Sequence, residues 1–171
     1  MKILRVAVAA AGSLALLVQM ALAEAPIKWR QFQPTGAGYR IEFPGTPKVT
    51  KDTLPSQAGP APHLTAALTS GTYNYLVELT TYASASPRDA VLDLYTSGFA
   101  KTGTILAQTD LKIGFDSARR LELELKDGQV VSTMLVVTDG TRVYWVSCTT
   151  IKGTEHSAKV THFIDSFALV P

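Results

Sequence analysis

Between Arg119 and Thr149 apolar and polar residues run in three β-rich segments, separated only by Asp127-Gly128 and Asp139-Gly140. Asp-Gly between apolar runs is a strong short-range hairpin signal, because both central residues of a type I′ turn need positive φ. The pattern predicts a three-stranded antiparallel meander at the centre of a sheet. Two-residue loops at both pairs would place Leu121 opposite Met134 and Leu125 opposite Val130. They would place Val136 opposite Val143 and Met134 opposite Trp145. Side chains alternate faces with period two. One face then carries Leu121, Leu123, Met134, Val136, Val143 and Trp145 and reads as the core face. The other carries Arg120, Glu122, Glu124, Leu135, Tyr144, Val146 and Cys148, and reads as half covered with a polar margin. In this register Arg120, Leu135 and Tyr144 form one row, so Arg120 and Tyr144 are the candidate binding row on the sheet.

The same alternation continues upstream. Tyr39, Ile41 and Phe43 alternate with Arg40 and Glu42 and predict a strand ended by Pro44-Gly45. Ile27 to Phe32 predicts a short lead-in strand and Lys48 to Leu54 another. Pro55 to Pro62 reads as an exposed loop. His63 to Ser70 and Thr72 to Tyr82 form a second hairpin around Ser70-Gly71, with Tyr73, Tyr75, Val77 and Leu79 on one face. The period then changes. Val91, Leu92, Tyr95 and Phe99 give a helical stripe within Ser86 to Ala100, with Ser86 as cap and Pro87 in the first turn. Ile105 to Ile113 predicts a strand leading to the meander. Beyond Gly153, Thr154 should cap a second helix that buries Val160, Phe163, Ile164 and Phe167. The fold class is therefore α+β, an antiparallel sheet with a central Asp-Gly-linked meander and helices packed on it.

Export changes the charge argument. Met1 to Ala23 has Lys2 and Arg5, then an apolar run, then Ala21-Leu22-Ala23, the small-x-small pattern of a cleavable secretory signal. The expected product is a single domain over residues 24–171 in the periplasm or medium, with no stable membrane insertion after cleavage. The chain has 16 basic and 14 acidic residues, and the leader holds two of the basic ones. The remainder carries 14 of each, with no Lys/Arg patch, which argues against nucleic acid as a partner. The lone cysteine, Cys148, cannot form an internal disulfide and is expected to be buried on its strand.

No catalytic motif emerges. His156 and His162 stand too far apart on a helix to share a metal, and there is no paired-Cys or His-Glu-x-x-His spacing. No Gly-x-Ser-x-Gly elbow is present. No cofactor, metal or enzymatic activity is expected.

The stretches W-R-Q-F (29–32), G-Y-R-I-E-F-P-G-T-P (38–47), D-G-T-R-V-Y-W-V (139–146) and T-H-F-I-D-S-F-A-L (161–169), in that order, resemble the exported bacterial relatives of the PsbP-like superfamily, which includes DcrB-like proteins. The resemblance implies an antiparallel sheet with helices on both faces and an accessory or binding role without catalysis. The function expected first is binding a protein partner or assisting an envelope complex. The alternative is a periplasmic small-molecule carrier with a pocket between sheet and helix.

Overall fold

The computed structural model describes residues 27–125 and 127–170. The leader assigned to residues 1–23 lies outside them. The elements are β1 (Arg30–Phe32), β2 (Tyr39–Phe43), β3 (Lys48–Leu54), β4 (Ala61–Ser70), β5 (Tyr73–Thr81), α1 (Arg88–Ala100), β6 (Gly103–Ile113), β7 (Asp116–Leu125), β8 (Val130–Thr138), β9 (Arg142–Ile151), α2 (Ala158–Asp165) and β10 (Ala168–Leu169). Seven strands form one antiparallel sheet in the order β3-β4-β5-β9-β8-β7-β6. A small second sheet, β1-β2-β10, uses the chain's last strand to flank β2. The meander is β7-β8-β9, and β9 stands in the middle of the large sheet.

The first turn has the expected register, with Leu121 opposite Met134. The second does not. Val136 faces Trp145 and Met134 faces Ser147, two residues away from the two-residue-loop register. The loop closes between Thr138 and Val143 instead. Asp139 explains this, because its carboxylate accepts the N–H groups of Thr141 at 2.8 Å and Arg142 at 2.7 Å. Those bonds hold a wider loop than Asp139-Gly140 alone would span. A shift of two leaves every side chain on its expected face. It does break the predicted row, since Arg120 and Leu135 now align with Val146, while Tyr144 aligns with Val137.

The deepest core lies on the face that the sequence pattern marks as half covered. Tyr39, Ile41 and Phe43 of β2 and Phe163 of α2 are 0% exposed, and they pack on Leu135, Val137, Tyr144, Val146 and Cys148. The charges of β7 stand only at the margin of this layer. Meander periodicity could not reveal it, because the cover comes from chain segments about a hundred residues earlier and from α2. The Trp145 face is covered by α1, whose Val91 and Leu92 meet Val136 and Val143, with Tyr95, Phe99 and Trp145 around them. The layers are thus α1, the large sheet, then α2 with the small sheet.

Both helices start later than their predicted caps. Ser86 donates its N–H to the Gly140 carbonyl at 2.9 Å, so it belongs to the turn beside the helix, and α1 begins after Pro87. Thr154 spends its hydroxyl on the Ile151 carbonyl at 2.7 Å, within a turn that precedes α2. Cys148 is fully buried, and burial pushes its thiol up to about 12. A thiolate is the reactive form, so this side chain packs as a small apolar group.

Candidate functional site

On β5 the two faces differ in kind. Tyr75, Val77 and Leu79 turn into the deep core, while Glu78, Thr80 and then Tyr82 turn towards α1. Their neighbour across the ladder is β4, which puts His63 opposite Thr80 and Thr65 opposite Glu78. His63 is 8% exposed. One ring nitrogen, Nδ1, is 3.0 Å from the Thr80 hydroxyl, and Nε2 is 3.1 Å from that of Thr65. The Glu78 carboxylate stands 3.8 Å from Nε2. Burial raises the Glu78 carboxyl above its ordinary value, His63 pulls it back, and Asp52 pushes it up again.

Thr80 carries this network towards α1. The Tyr95 phenol is close enough to Tyr82 and Thr80 to feel both, so polar side chains follow one another from Tyr82 through Tyr95 and Thr80 to the hydrogen-bonded group of Thr80, His63 and Thr65. Burial raises the Tyr95 phenol well above its ordinary value, and the neighbouring Tyr82 phenol adds to the rise. The phenol therefore stays protonated and acts as a neutral donor.

At the outer end of the chain is a cavity of about 410 Å³. Val91, Leu94 and Tyr95 of α1 form one wall. Tyr82, Ser84 and Ser86, on the connection into α1, form the floor. Pro55 to Ala58, between β3 and β4, form the rim. Gly140 closes the end nearest the β8–β9 turn, where Ser86 is tied to it. None of the lining side chains is charged. Such a site offers hydroxyl donors and acceptors over an apolar wall. It can orient a neutral polar group, and the imidazole behind it is already engaged by two threonines.

A second cavity, about 430 Å³, lies on the opposite side, between α2 and β1–β2. Of its ionisable lining residues Arg40, Glu42, His162 and Asp165, the last three have ionisable partners nearby. His162 Nε2 is 2.6 Å from Glu42, and its ring lies against Trp29 at 4.2 Å. Asp165, at the rim, is taken by Arg120. The Ser166 hydroxyl accepts the Glu42 N–H at 3.0 Å and donates to the Phe163 carbonyl at 2.8 Å. This groove reads as the polar joint that fastens α2 to β2.

The structure separates the two residues that the sequence pattern placed in one row. Arg120 reaches across to α2 for its ion pair with Asp165. Tyr144 is 0% exposed and donates its hydroxyl to the Ala37 carbonyl at 3.2 Å, locked between the two sheets. Its row across the ladder is Ala118, Val137 and Leu79, all buried. In the sequence nothing marks the residues around the α1 cavity as a site. Tyr95 reads in sequence as one member of an apolar stripe, and His63 as a lone histidine. The available signal was the polar alternation Glu78, Thr80, Tyr82 on the β5 face that meets α1.

Two antiparallel sheets with one helix on the outer face and one in the second layer define a PsbP-like α+β fold. The solved structure of cyanobacterial PsbP (CyanoP) from Synechocystis sp. PCC 6803 is similar, with a TM-score of 0.58 over 86% of this chain and 95% of that chain at 12% identity. A protein of unknown function, PA94 from Pseudomonas aeruginosa, gives a TM-score of 0.42 over 74% of this chain and 85% of that chain at 14% identity. No family model and no curated protein matches the sequence.

Proposed function

We propose that the chain is an exported, non-catalytic binding domain, and that the cavity beside α1, rather than the Arg120–Tyr144 row, holds its ligand. The ligand is a small uncharged molecule with an apolar face and hydroxyl or carbonyl groups. The observation that carries this reading is an uncharged cavity of about 410 Å³ lined by the hydroxyl-bearing residues Tyr82, Ser84, Ser86 and Tyr95 beside the apolar Val91 and Leu94. That volume lies within the range of small-molecule sites, which are mostly apolar with a few placed polar groups. Export rests on the pattern of residues 1–23. Among the described residues no helix is long and apolar enough to cross a membrane.

The test is native mass spectrometry of the processed protein, purified gently from the periplasm. The expected result is a mass above that of the polypeptide which disappears on unfolding. Replacing Tyr95→Phe removes one donor and should weaken retention by about three- to tenfold, the value of one hydrogen bond. A bare polypeptide mass in every gentle preparation would overturn the reading.

Docking on a partner protein of the envelope is the second reading, and one residue favours it. Phe115 is 94% exposed at the tip of the β6–β7 hairpin. Gly114, at φ +62°, makes the two-residue turn, and Arg88 holds the Phe115 carbonyl. A large apolar ring carried into water on a turn whose backbone is held offers a contact that a partner could cover. A photo-crosslinking residue at position 115 should capture one envelope protein in cells, and capture should fall when an excess of unlabelled native protein competes. Labelling that is diffuse and insensitive to this competition would remove the reading.

A further inference from the structure

We propose that the free edge of β3 pairs antiparallel with the same edge of a second copy of this chain, joining the two large sheets across a two-fold axis. This surface lies apart from the α1 cavity and does not depend on it. β3 is outermost in the sheet, and all seven of its residues are exposed. Its pairing with β4 runs in unbroken register from Lys48 to Leu54, so its outer edge presents a regular row of backbone donors and acceptors. The opposite edge of the sheet is different. On β6 the register slips at Leu106, a bulge of the kind that blunts an edge against further pairing. β3 has no such interruption.

The charged side chains favour one register. A two-fold axis through Thr50 sets Lys48 opposite Asp52 of the partner subunit, and the symmetry makes that pair twice. Thr50 meets its own copy, a favourable hydroxyl pair, and Val49 lies beside the methylene stem of the partner's Lys51. An axis through Lys51 would oppose two ammonium groups, and an axis through Asp52 would oppose two carboxylates, both destabilising. Val49, 42% exposed, is one of the large apolar residues that the monomer leaves in water, and it lies within the paired segment. Pro47 and Pro55 bound the paired segment, so the contact is short and the dimer weak.

Sedimentation equilibrium of the processed protein, up to about 0.5 mM, tests this over the range where small interfaces associate. The expected result is a reversible monomer–dimer equilibrium. Lys48→Asp alone and Asp52→Lys alone each turn both cross-strand pairs into repulsions and should weaken association by about tenfold. The double variant K48D/D52K restores opposite charges and should recover it. Both substituted positions are exposed, and circular dichroism checks that the three variants are folded. A chain that stays monomeric throughout the range overturns the proposal. So does a dimer that is indifferent to the single substitutions, or one that the double variant fails to rescue.

Discussion

Replacing Phe163→Ala is expected to remove about 3–5 kcal/mol of folding stability, the range for emptying a buried phenylalanine site. The side chain is 0% exposed and joins the three parts of the deep layer. Its ring meets Phe43 of β2 at 5.1 Å and Tyr75 of β5 at 5.0 Å, both edge-on. Each such aromatic contact adds about 0.5–1.5 kcal/mol beyond area burial. Collapse around the hole is difficult because α2 is also held from outside by the His162–Glu42 and Arg120–Asp165 pairs. Phe163→Leu keeps most of the volume and should cost far less. Urea unfolding with an unchanged slope would read both values. A loss below about 1 kcal/mol for the alanine variant would mean that α2 is not a structural part of this core.

Replacing Asp139→Ala should cost about 1.5–3 kcal/mol, the range for hydrogen bonds to a charged group. The Asp139 side chain is only 19% exposed. Burial works against its ionisation. The Arg142 N–H and guanidinium and the Thr141 hydroxyl and N–H outweigh that and hold the carboxyl well below its ordinary 3.8. Its guanidinium contact is 2.8 Å long. A carboxyl whose folded pKa is depressed contributes fully above the unfolded value and loses that contribution as pH falls below it. The stabilisation should therefore be complete at neutral pH and decline below about pH 3.8, the ordinary value. Asp139→Asn keeps one carbonyl acceptor and removes the titration. Urea midpoints taken from pH 7 downwards should show the wild type losing this increment while the asparagine variant does not. Parallel curves for the two proteins would refute the role given to the carboxylate.

This residue also shows where sequence reading stops. Asp139-Gly140 correctly marks a hairpin, and Asp-Gly favours a two-residue loop by its φ preferences. The carboxylate instead finds four donors just beyond the turn, and those bonds open the loop and move β9 by two positions. Which side chains share a face survives, because it depends only on parity. Which side chains share a row does not, and with it went the alignment of Arg120 with Tyr144.

The strands, the two helical stripes and the α+β class were legible because alternation and the 3.6-residue period are local properties of the chain. Tyr39, Ile41 and Phe43 announce a buried strand, and Val91, Leu92, Tyr95 and Phe99 a helix face, without reference to any distant residue. Burial of Cys148 is expected on other grounds, as a lone cysteine on a central strand, since alternation alone puts it on the half-covered face. What covers each sheet face was decided only by the tertiary structure. β2 and α2 close over Tyr144 and Cys148 from opposite ends of the chain, and burial there is a property of both partners at once. The candidate site is of the second kind. His63, Thr80, Tyr82 and Tyr95 lie on two strands, a loop and a helix. Their side chains become neighbours only when β4, β5 and α1 are packed together, because polar contacts are short-ranged and these elements are kept apart in the sequence.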